Sequence, residues 1–60
     1  MRLIKLEEVK RLTCLSTSTI YKLISDGEFP KQVKMSRNTV VWVEQEIQDY
    51  IAKRIAERAA

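Results

Sequence analysis

Apolar residues recur at helical intervals near both ends of the chain and alternate with polar ones in between. Leu6, Val9 and Leu12 are spaced three apart, with Glu7, Glu8, Lys10 and Arg11 among them, which predicts a short amphipathic helix over about residues 5–12. Thr13-Cys14-Leu15 then reads as a tight turn. Ser16-Thr17-Ser18-Thr19 offers hydroxyls that can accept from the unpaired N–H groups of a helix start, with Ser16 as the N-cap. Ile20, Leu23 and Ile24 form the apolar stripe of this second helix, over about residues 17–26, and Gly27 ends it in the left-handed position that glycine enters without steric cost.

Phe29-Pro30 forces the chain to become extended, because proline disfavours the α region for the residue before it and has no N–H to give. Val33 and Met35 alternate with Lys34, and Thr39 to Val43 is β-branched and aromatic, so the segment reads as a β-hairpin. Its tip falls at Ser36-Arg37-Asn38, with Asn38 able to take positive φ and Arg37 projecting from the end of the ribbon. Two strands alone are marginal in water. Ile47, Tyr50, Ile51 and Ile55, with Arg54 beside them, supply an opposing helix face over about residues 44–58, and Trp42 and Phe29 are expected to fill the space between hairpin and helix. The expected class is α+β and mainly helical: three helices with a small hairpin, in a single domain over residues 1–60.

A chain of 60 residues buries too little surface for a deep catalytic pocket. Its 45% hydrophobic and 32% charged content is ordinary for a globular domain. No apolar run could span a bilayer, and Met1-Arg2-Leu3-Ile4-Lys5 lacks a signal-peptide core, so a soluble, cytoplasmic protein without a membrane partner is expected. The single cysteine, Cys14, has no partner within the chain and reads as a small, half-buried hydrophobe; without any histidine, a zinc site lacks suitable ligands. The missing histidine also removes the commonest general base. Glu7-Glu8 and Glu44/Glu46 suit helix starts, where acids complement the dipole, better than they suit a catalytic pair. A binder without cofactor, metal or enzymatic activity is expected.

The net charge of +3 is unevenly placed. Residues 1–43 carry Arg2, Lys5, Lys10, Arg11, Lys22, Lys31, Lys34 and Arg37 against Glu7, Glu8, Asp26 and Glu28, a net of +4, while the remainder nets −1. A polyanion-binding face therefore belongs to the first two-thirds. Two short helices joined by a tight turn, the second opening on small hydroxyls, suit a helix-turn-helix. With Ile20, Leu23 and Ile24 in the core, Thr17, Ser18, Tyr21, Lys22 and Ser25 lie on the opposite face, and the first of them sit at the end that enters a major groove. Lys31, Lys34 and Arg37 on the hairpin would flank the groove, which makes the arrangement a winged helix-turn-helix. Plainer roles compete: capping for Ser16 and Thr19, covering the helix edge for Tyr21, and solvated edge charges for Lys31 and Lys34.

The run from Leu12 to Ile24, then Gly27-Glu28-Phe29-Pro30, Val33-Lys34, Trp42 and Glu46-Ile47, resembles the AlpA family of small phage-type regulators over about residues 3–55. That resemblance implies a winged helix-turn-helix related to the MerR type, acting on double-stranded DNA as a prophage or genomic-island transcriptional regulator or as an excisionase. It gives Ser18, Thr19, Tyr21 and Lys22 recognition-helix roles and makes Lys34 to Val40 the wing. Self-association on DNA, and contact with an integrase or another regulator, are the further partners it implies. The chain departs from the family pattern in four places. Cys14 stands where glycine is common, so the turn either strains a non-glycine residue or takes another path. Thr17 stands at a frequent arginine position. The wing tip is poor in glycine, and Tyr50 replaces a usual tryptophan. The competing functional class is a protein-interaction module that uses the same helices against an acidic partner without binding DNA.

Overall fold

The computed structural model describes residues 1–58. Its elements are β1 (Leu3–Ile4), α1 (Leu6–Thr13), α2 (Thr17–Ser25), β2 (Val33–Ser36), β3 (Thr39–Val43) and α3 (Glu44–Glu57). The strands form an antiparallel sheet in the order β1-β3-β2. Three helices on a small antiparallel sheet make the α+β arrangement of a winged helix.

The core is built from the stripes that the sequence displays. Val9, Ile20, Trp42 and Ile47, one from each of α1, α2, β3 and α3, are all 0% exposed, and Ile4 and Phe29 complete the cluster. Trp42 is central, and its indole N–H donates to the Pro30 carbonyl at 3.2 Å, so burying this polar group leaves it satisfied. Phe29 meets Tyr50 edge-on with ring centroids 4.7 Å apart, which anchors the α2–β2 connection on α3.

Both ends of α2 follow from local chemistry. Ser16 is extended (φ −78°, ψ 161°), and its hydroxyl accepts from the Thr19 N–H at 3.3 Å, as expected of the N-cap. At the far end Gly27 is left-handed (φ 75°); its N–H reaches the Ile24 carbonyl at 3.0 Å and the Glu28 N–H reaches the Leu23 carbonyl at 2.8 Å. These crossed bonds form a Schellman motif. The end of α1 is less ordinary. Cys14 adopts φ 61°, ψ 22° and donates its N–H to the Lys10 carbonyl at 2.8 Å. Of the two routes open to a turn without glycine, the chain therefore takes the strained one. Thr13 supports it by donating to the Val9 carbonyl at 2.8 Å and accepting from the Leu15 N–H at 3.3 Å. Cys14 is also exposed, and the half-buried placement expected of it is wrong: a left-handed residue at the apex of the turn points away from the core.

Two further differences from the sequence reading concern the sheet. Leu3–Ile4 forms a strand, pairing with Val43 and Trp42, and the Arg2 carbonyl accepts the Glu44 N–H at 2.8 Å. A two-residue strand has no periodicity to read, and its partners lie some forty positions away in the chain. At the hairpin tip, Arg37 and Asn38 make a two-residue turn, yet among the described residues the only non-glycine with positive φ is Cys14, so the turn does not draw on the tolerance of Asn38 for the left-handed form. The register shifts by one residue between Lys34 and Ser36, and this bulge at Met35 lets the strands close without a positive-φ turn.

Candidate nucleic-acid interface

Helix α2 presents its hydroxyl-rich side to solvent. Ile20 is buried with Leu23 and Ile24 packed beside it, so Ser18, Lys22 and Ser25 project the opposite way and are exposed. Thr19 and Tyr21 are exposed on the two flanks of that face, whereas Thr17 is half-buried at its edge. Tyr21 is 39% exposed, because its ring meets Trp42 edge-on with centroids 6.4 Å apart and leaves the remainder open. It therefore both covers the core and borders the open face.

The hydroxyls at the start of α2 are linked to one another. Ser16 Oγ donates to Thr19 Oγ1 at 2.9 Å, so its 3.3 Å contact with Ser18 Oγ leaves Ser18 as the donor. Thr19 thus serves the cap, as its plainer role required, and keeps its own hydroxyl proton free to donate outward. The first turn of α2 contains no acidic residue, so the positive end of the helix dipole is not neutralised there.

Strand alternation settles where the hairpin charges face. Lys34 pairs with Val40, and directly opposed residues share a sheet face; Val40 and Trp42, two apart on β3, share it as well. Lys34 is therefore on the sheet face against which Tyr21 of α2 packs. Arg37 is exposed at the hairpin tip. Lys31 is placed differently. It lines a shallow groove of about 520 Å3 with Pro30, Val33, Val43, Glu46 and Asp49, and Val33 and Val43 belong to the other sheet face. Structure thus brings Ser18, Thr19, Tyr21, Lys22, Lys34 and Arg37 to one side of the molecule or its tip, leaves Thr17 half-covered, and sets Lys31 among acids.

The sequence reading missed one group on this surface. Asp26 Oδ2 lies 3.7 Å from Lys22 Nζ, an exposed pair one helical turn apart. The i,i+4 spacing of lysine and aspartate was the available signal. Elsewhere on the surface, Arg11 holds Glu8 through two charged hydrogen bonds, and this contact lowers the Glu8 carboxyl and raises the Arg11 guanidinium from their ordinary values. An open cleft of about 750 Å3 separates the α1–α2 turn from the second half of α3, floored by Leu12, Leu15, Leu23, Tyr50 and Ile51, with Ile55 53% exposed at its margin. No helix among the described residues is long and apolar enough to cross a membrane.

A capped second helix with an open polar face, standing beside a cationic hairpin, defines the molecule as a winged helix-turn-helix protein. Comparison with known proteins narrows this. The family model described as the prophage CP4-57 regulatory protein AlpA matches residues 2–55, and the chain belongs to that family of phage-type regulatory proteins. It is also similar to the uncharacterized protein ORF88 of Enterobacteria phage P4, with 46% identity over 57 residues, covering 95% of this chain and 65% of that protein. The chain thus spans about two-thirds of the length of that relative.

Proposed function

We propose that this chain is a sequence-specific double-stranded DNA-binding domain that regulates prophage or genomic-island genes, or directs excision of such an element, with α2 as the reading helix and the β2–β3 hairpin as the wing. One observation carries the reading: the outward face of α2, with Ser18 and Lys22 exposed, stands beside the sheet face that bears Lys34, so helix and wing address one ligand together. Membership of the regulatory family supports it.

Small hydroxyls at the start of α2 let the backbone approach a duplex closely. Thr19 donates its free hydroxyl proton to phosphates or base edges, Ser18 does so by giving up its bond to Ser16, and the uncompensated helix N-terminus attracts a phosphate. Lys22 and the phenol of Tyr21 reach base edges further along the groove. Lys34 and Arg37 bind backbone phosphates, with Arg37 able to enter the adjoining minor groove. Thr17 and Lys31 take peripheral places. The mechanism is one of binding and recruitment, without a chemical step. A monomer of this size makes about four to six phosphate contacts, so its affinity falls with salt on a log–log slope of about −4 to −5. Weak binding by one copy then calls for several copies on adjacent sites.

Fluorescence anisotropy with a labelled mixed-sequence duplex, followed across salt concentrations, tests the reading. Arg37→Ala is expected to lower affinity for every sequence and to flatten the slope by about one. The absence of any binding at low salt, together with salt-insensitive capture of an acidic protein, would overturn DNA binding in favour of a protein-interaction module.

A further inference from the structure

We infer that Asp26 is a positioning residue for Lys22: it holds the ammonium at the C-terminal end of α2, so that Lys22 engages DNA only by leaving this partner. The inference rests on the DNA-binding reading and adds to it a built-in restraint on the contact that Lys22 makes.

The two members of the pair differ in freedom. Asp26 caps α2, with its N–H bonded to the Lys22 carbonyl at 3.0 Å, and the Schellman bonds of Gly27 and Glu28 fix the chain reversal immediately after it. Its carboxylate therefore stands on a short side chain from a rigid backbone. Lys22 has a flexible four-carbon stem and a side chain 77% exposed, so its ammonium can swing between Asp26 at 3.7 Å and a ligand in front of the helix. The negative end of the helix dipole favours the ammonium on the Asp26 side.

An exposed i,i+4 pair of this kind shifts the occupancy of the lysine by about a factor of two. Asp26 adds a second effect, because its charge lies on the surface that phosphates approach and repels them. The first effect weakens the Lys22 contact alone, and the second weakens phosphate contacts near the end of α2. The acid thereby lowers what Lys22 contributes to binding on any sequence.

The test is a double-mutant cycle on anisotropy binding to mixed-sequence duplex, with wild type, Asp26→Asn, Lys22→Gln and the double variant. Asparagine retains the shape of the side chain at the helix end. If Asp26 acts through Lys22, Asp26→Asn tightens binding about three- to fourfold at low salt and steepens the salt slope by up to about one, and the gain shrinks to about twofold or less when Lys22 is already glutamine. Equal gains in the two backgrounds would show plain removal of a negative charge and overturn the inference, as would no gain at all. In either case wild-type binding would leave the DNA-binding reading standing. A wild-type chain that does not bind overturns both.

Discussion

Replacing Cys14 by glycine should stabilise the fold, and the size of the gain follows from the backbone. At φ 61° and ψ 22° a Cβ atom crowds the following carbonyl, at a cost of about 1–2 kcal/mol relative to glycine. Glycine gives back about 0.5–1 kcal/mol because its unfolded chain is freer. The thiol is exposed, so little apolar burial is lost. The net expectation is a gain of about 0.5–1 kcal/mol, which for a chain of this length corresponds to about 4–8 °C in Tm. Cys14→Ala keeps the strain and should stay within about 0.5 kcal/mol of wild type, whereas Cys14→Val adds β-branching at positive φ and should lose stability. Urea unfolding followed by circular dichroism, with thermal melts alongside, measures the three variants. A glycine variant no more stable than the alanine variant would refute the argument, since it would mean that the left-handed geometry costs the native turn nothing.

Other perturbations probe the remaining parts. Trp42→Ala removes the most central side chain and leaves the Pro30 carbonyl without its donor; a loss of about 3–5 kcal/mol is expected, enough to unfold so small a domain by far-UV circular dichroism at 25 °C. The Arg11 guanidinium lowers the Glu8 carboxyl, so this pair contributes stability above the ordinary glutamate range and loses it as the pH falls through the lowered value; acid titration of Tm should show a shallower decline in Glu8→Gln. Lys34→Ala should weaken DNA binding and flatten its salt slope by about one, while Lys31→Ala, on the other sheet face beside Glu46 and Asp49, should change it less; the reverse order in anisotropy titrations would contradict the assignment of sheet faces.

The parts of this fold that could be read from sequence are those determined by near neighbours. Leu6, Val9 and Leu12 repeat within a turn of one another, Ser16 caps a helix three residues away, and Gly27 and Pro30 punctuate the chain wherever they stand. The parts that could not be read depend on distant partners or on a balance between strain and topology. Leu3–Ile4 becomes a strand only because Trp42 and Val43 are there to receive it. Cys14 takes the left-handed conformation because α1 and α2 must both reach the core, and Asn38 is spared it because a bulge at Met35 absorbs the twist. Of the candidate interface, the outward face of α2 was visible from helical spacing alone. Which side of the sheet Lys31 and Lys34 occupy was not, since that depends on a register only the folded hairpin reveals.

The two-residue strand at the start of the chain has a practical consequence. It borders β3 on the edge away from β2, and Arg2 ties it to the first turn of α3 through both its carbonyl and an ion pair with Glu44 at 2.9 Å. A fluorophore or affinity handle joined ahead of Met1 would leave from the margin remote from the wing strand and spare it obstruction. Trimming the same end through Ile4 would strip a core side chain, bare one side of β3 and unfasten the joint where strand passes into helix.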